Sequence, residues 1–182
     1  MRPVDESTIR AIVRRVLDQS LAPVAAEAEE RAGKTVAIGA DHGGYELKEA
    51  LKHELAELGY GVADVGAHSQ AAVDYPDIAL AVARQVSSGA AWRGVIIDGA
   101  GIGSCMAANK VPGVRAALAY DHASAVNSRE HNDANVLTLG AGLIGLHLAK
   151  QILKTWLATE FAGGRHARRV EKISQIERQF LK

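Results

Sequence analysis

The sequence predicts an α/β fold, a three-layer α/β/α sandwich around a five-stranded parallel sheet. Three observations lead there. From Thr35 onward, short apolar segments of strand length alternate with longer segments whose apolar residues recur at helical spacing. Strands separated by helices pair in parallel and are covered on both faces. The polar and glycine clusters follow the apolar segments, where the loops of such a sheet gather ligands.

The elements follow in order. The strands are expected at Thr35 to Gly39, Gly61 to Gly66, Gly94 to Asp98, Arg115 to Tyr120 and Asn135 to Gly140. Helices are expected at about Tyr45 to Leu58, Tyr75 to Ser87, Ser104 to Asn109, His122 to Glu130 and Leu143 to Thr159, with one more after Arg165. Val36, Ile38, Val95, Ile97, Leu137 and Leu139 should fill the sheet, and Leu51, Leu55, Ile152 and Trp156 should cover it from helices.

The N-terminus stands apart. Ile9, Ile12, Val13, Val16 and Leu17 recur at helical spacing opposite Arg10, Arg14 and Arg15, so residues 1–21 read as an amphipathic helix and residues 22–33 as a linker. The domain proper then runs over residues 34–182. Charged residues interrupt any secretory signal, and Asp5, Glu6 and Asp18 argue against a transit peptide. Such a helix packs on its own domain or docks into a partner's groove.

Composition narrows the class. The 182 residues allow one well-buried domain with a short appendage, and zero net charge gives no global attraction to nucleic acid or an anionic membrane. Cys105 is the single cysteine, which excludes an internal disulfide and suits a reducing cytoplasm. The seven histidines form no HxxxH pair, so no metal site is expected.

Chemistry is expected after the strands. The first is followed by Asp41-His42-Gly43-Gly44, the third by Asp98 with Gly99, Gly101 and Gly103, and the fourth by Asp121-His122 and then Arg129 to Asp133. Alternating glycines let successive N–H groups converge on an anion. With a carboxylate at the edge, such a loop combines a base with an oxyanion site, which suits proton abstraction beside a carbonyl.

The blocks IGADHGGYELKEAL, DYPDIA, GVIIDGAGIG, AANKVPGVRAAL, SREHNDANVLTLG and GGRHARRV together resemble the ribose-5-phosphate isomerase type B family, which includes the LacAB sugar-phosphate isomerases. The likeness runs from Lys34 to the C-terminus with the blocks in family order. It implies a Rossmann-like domain, a homodimer with sites shared between subunits, no cofactor, and aldose-ketose interconversion of a phosphosugar through an enediol. By motif, Asp41 and His42 would hold sugar hydroxyls, and Gly99, Ala100, Gly101, Ile102 and Gly103 would cradle the reacting end. His131 would be the acid that helps open the ring, with Asn132 beside it, and Arg165 and Arg169 would grip the phosphate. The N-terminal extension resembles the encapsulation peptides of bacterial microcompartment cargo, implying that residues 1–21 bind a shell protein.

The departures surround one site. Asp98 stands where many members have a cysteine base, and Ser104 where another branch has a glutamate base. Ala100 replaces a hydroxyl residue, and Gly142 an arginine that binds phosphate. Either Asp98 is itself the base, with Ala100 making room for its longer side chain, or the protein binds a phosphosugar without converting it. A third reading comes from Gly140 to Gly145, which fits the dinucleotide pattern GxGxxG but lacks an acidic residue ending a following strand.

Overall fold

The computed structural model describes residues 29–180 together with Arg10, Val13 and Arg14. Those three N-terminal residues are helical and exposed, while the rest of the expected helix and most of the linker lie outside the described residues. Residues 29–32, assigned to the linker from sequence, are helical and lead straight into the first strand.

The elements are β1 (Thr35–Ala40), α1 (Tyr45–Glu57), β2 (Gly61–Asp64), α2 (Tyr75–Ser87), β3 (Arg93–Asp98), α3 (Ile102–Ala108), β4 (Ala116–Leu118), α4 (His122–Glu130), β5 (Val136–Gly140), α5 (Leu146–Ala158) and α6 (Gly164–Phe180). All strand pairs are parallel, in the order β2-β1-β3-β5-β4. The three central strands are buried almost throughout, as apolar runs without alternation require. Val36, Ile38, Val95, Ile97, Leu137 and Leu139 face one core with α1, α4 and α5. Ala37, Ile96 and Val136 face the other with α2 and α3. Each fully buried Val, Leu or Ile side chain contributes about 1.5–3 kcal/mol.

Two strands are shorter than the apolar pattern suggested. β2 stops at Asp64, whose carboxylate turns to bind Lys48 Nζ at 2.8 Å and Lys52 Nζ at 2.6 Å. β4 keeps three residues because, at the sheet edge, it pairs with β5 alone. α3 begins two residues before the expected position, directly after Gly101 in the left-handed region at φ 75°. A Cβ there would lie 2.5 Å from Leu118 Cδ1, so only glycine makes this turn.

Order β2-β1-β3-β5-β4 places the site. The loops leaving β1 and β3 diverge at the carboxyl ends of neighbouring strands, opening a crevice between them. At the amino end of the strands, Arg93 opens β3, buried, and donates from Nη1 to the carbonyls of Trp156 (3.0 Å) and Leu157 (2.9 Å). This ties the end of α5 to the sheet and sets where α6 departs. Burial, with Arg129 nearby, lowers the Arg93 pKa to about 10.

Candidate active site

At the crevice, Asp98 ends β3 and is 4% exposed. Oδ1 accepts from Ala100 N–H at 2.8 Å and from Gly101 N–H; Oδ2 accepts from Ser104 N–H at 3.0 Å and from the Ser104 hydroxyl. An ionised carboxylate has about four lone-pair positions, and here each has a donor. This changes the expected division of labour. The amides of Ala100 and Gly101, assigned from sequence to a substrate oxyanion, donate to Asp98 itself. The N–H groups of Gly99, Ile102 and Gly103 have no partner among the described residues and remain for a ligand.

Asp41 and His42 follow β1 into the same crevice. Asp41 is 8% exposed, and its Oδ1 accepts from Gly44 N–H at 2.9 Å, closing the turn into α1. His42 is exposed. Tyr75, at the start of α2, lies against the loop: a Cβ on Gly103 would fall 2.5 Å from its ring. Tyr120 donates its hydroxyl to Ala100 O at 2.6 Å. Neither tyrosine was given a role from sequence, although Tyr75 sits in the DYPDIA block. Cys105 lies outside this group, its Sγ 3.4 Å from Ala116 O, and burial pushes its thiol pKa up.

His131, Asn132, Arg165 and Arg169 are not in this crevice. α4 starts from the carboxyl end of β4 and runs back along the sheet, and His131 caps its far end. Ten residues of helix separate Asp121 from His131 by about 15 Å. There His131 stacks on His166 of α6, with centroids 4.2 Å apart and planes at 2°. Arg165 Nε donates to His166 Nε2 at 3.2 Å. Arg165 and Arg169 are exposed on the first turns of α6. Burial, together with His131, Arg165 and Arg169, holds the His166 imidazole below its ordinary pKa. Within one chain the expected site is therefore split between the carboxyl and amino ends of the strands.

The GxGxxG reading loses its geometry. Ala141 N–H donates to Asp98 O at 2.8 Å and Gly142 N–H to Gly99 O at 3.0 Å, so these amides join the two loops. No strand follows β5 among the described residues. A Cβ on Gly142 would approach Gly99 O to 3.0 Å, so an arginine there would press on the Asp98 loop.

A family model described as Ribose/Galactose Isomerase matches residues 36–173, most of the chain. The chain belongs to the ribose/galactose isomerase family. It is 44% identical over 146 residues to ribose-5-phosphate isomerase B of Escherichia coli, covering 80% of this chain and 98% of that protein. It is 42% identical over 146 residues to D-erythrulose-4-phosphate isomerase of Pectobacterium atrosepticum, covering 80% and 96%. Among solved structures, ribose-5-phosphate isomerase B of Clostridium thermocellum superposes with a TM-score of 0.79 at 52% identity, over 80% of this chain and 99% of that one. The isomerase fold thus accounts for everything from β1 into α6, and residues before 36 lie outside the family match. No helix of the described residues is long and apolar enough to cross a membrane.

Proposed function

We propose that this isomerase interconverts the aldose and ketose forms of a phosphosugar, ribose 5-phosphate and ribulose 5-phosphate or a related four- to six-carbon pair, through an enediol. The observation that carries the reading is the β3 tip, where a buried carboxylate adjoins three unpartnered amide donors in the crevice beside Asp41. Asp98 is the base. Of its four donors, the Ser104 hydroxyl alone turns without moving the backbone, and its rotation frees an Oδ2 lone pair. The carbon-bound proton beside the carbonyl passes to Oδ2, and its electron pair forms the enediolate double bond. The amides of Gly99, Ile102 and Gly103 face the developing oxyanion. The hydroxyl proton on the deprotonated carbon's oxygen then passes to the oxyanion, and returning the proton from Oδ2 to the former carbonyl carbon completes the isomerisation without a cofactor.

His131, Asn132, Arg165 and Arg169 come from a second copy of the chain. Their placement toward the amino ends of the strands supports a twofold pairing that brings one protomer's histidine and arginines over its partner's β3 tip. Exposed Ile102 and Met106 flank the crevice, and Ile173, Ile176 and Phe180 line one face of α6. These apolar surfaces suit burial in such a dimer. Residues 1–21 then serve as a separate peptide that binds a microcompartment shell protein.

The saturation of Asp98 favours one second reading, binding of a phosphosugar without turnover. Incubation with aldose and ketose phosphates in D2O separates the two. Isomerisation with deuterium incorporated at the carbon beside the carbonyl supports the enzyme with an enediol; saturable binding without conversion or exchange refutes it.

A further inference from the structure

We infer that Asn127 is a positioning residue that sets the tautomer of His131, so that the neutral imidazole carries its proton on Nε2. Asn127 lies on α4 four residues before His131, one turn away on the same face. Three contacts fix the assignment in sequence. Asn132 Nδ2 lies 3.1 Å from the backbone carbonyl of Asn127, which only accepts, so this atom must be the NH2 end of the Asn132 amide. The same Nδ2 lies 3.1 Å from the Asn127 side-chain oxygen, which must therefore be Oδ1. The other end of that amide, Asn127 Nδ2, stands 2.8 Å from His131 Nδ1 and can only donate. Nδ1 thus accepts and holds no proton in the neutral ring, so the proton resides on Nε2.

The consequence rests on the isomerase reading above. A histidine that assists sugar-ring opening presents a hydrogen bond to the ring oxygen as that oxygen takes up the proton leaving the anomeric hydroxyl, and a preset Nε2–H supplies that bond while the imidazole stays neutral. His166, stacked on the other ring, is held below its ordinary pKa mainly by burial, which keeps positive charge away from the neutral His131 imidazole. Asn132, expected from sequence to lie beside the substrate, has a further task here, which is to orient Asn127. No sequence signal marks Asn127, because the chain of amides exists only once α4 has brought residues 127, 131 and 132 together.

The test uses the 15N-labelled full-length chain and long-range proton-nitrogen correlation of its histidine rings, with His131 assigned by comparison with His131→Gln. The expected spectrum shows an unprotonated Nδ1 and a protonated Nε2 for His131. Asn127→Asp replaces the donor by an acceptor and should move the proton to Nδ1; Asn127→Leu should release the preference to a mixture. Asn127 is exposed, so thermal unfolding of both variants should match the parent. With ribose 5-phosphate as substrate, Asn127→Asp should lower kcat at least about tenfold while KM stays within about twofold. A parent spectrum with the proton on Nδ1, or an Asn127→Asp spectrum identical to it, overturns the assignment; unchanged kcat in Asn127→Asp overturns its catalytic consequence. If the parent converts no phosphosugar, the isomerase reading fails, while the nitrogen spectra still decide the tautomer.

Discussion

Asp98→Asn keeps the outline of the side chain, yet the structure makes it far from conservative. The carboxylate accepts from three backbone N–H groups and one hydroxyl. An asparagine oxygen can keep the pair from Ala100 and Gly101. Its NH2 then faces Ser104, whose hydroxyl can rotate to accept but whose backbone N–H cannot. One charge-assisted hydrogen bond is lost, at about 1.5–3 kcal/mol, and the remaining three lose their ionic component, so the total is about 3–5 kcal/mol. For a domain of this size that corresponds to a fall in Tm of about 10 °C. Thermal unfolding and turnover should be measured together, because lost activity alone would not separate a missing base from an unpinned loop. Ser104→Ala makes that separation: it removes one donor at a cost of about 1.5–3 kcal/mol, leaves the carboxylate, and should retain turnover if Asp98 is the base. An Asp98→Asn variant that unfolds within a degree or two of the parent would refute the hydrogen-bond reasoning. Loss of turnover in Ser104→Ala at full folding would remove Asp98 from the role of independent base.

Other consequences can be checked separately. Mixing Asp98→Asn with His131→Gln chains, each inactive alone, should restore about a quarter of parental activity after subunit exchange, since half of the dimers are hybrids with one intact site each; no recovery would place both residues in one protomer's site. Burial opposes the charge on Asp64, but hydrogen bonds from Lys48, Lys52 and Gly66 N–H outweigh it and lower its pKa from 3.8 to about 2. Because the folded value lies below the unfolded one, Asp64 contributes about 2 kcal/mol that is present above about pH 5 and lost as the pH falls through 2. Denaturant titrations of parent and Asp64→Asn from pH 6 to pH 2 should show this extra slope in the parent only. Asp64→Asn should also cost about 3 kcal/mol or more at neutral pH, because Lys48 is fully buried against it. Deleting residues 1–28, which spares the helical residues 29–32 before β1, should leave Tm unchanged and abolish co-sedimentation with shell assemblies.

Features that depend on neighbours along the chain are legible before folding. Apolar runs such as Val95 to Ile97 set the strands, the stripe from Leu47 to Leu58 set α1, and the glycines after Asp98 announced a loop whose amides converge on an anion. The ordered blocks were enough for family membership. Which of these groups meet depends on how the elements pack. That His131 and Arg165 stand about one helix length from Asp98 follows from the direction of α4 against a parallel sheet. That the converging amides meet Asp98 itself follows from a left-handed turn at Gly101 that folds the loop back on its own strand. Residue identity reports what a side chain can donate or accept, while the partner that takes the bond is settled by distances between segments remote in sequence.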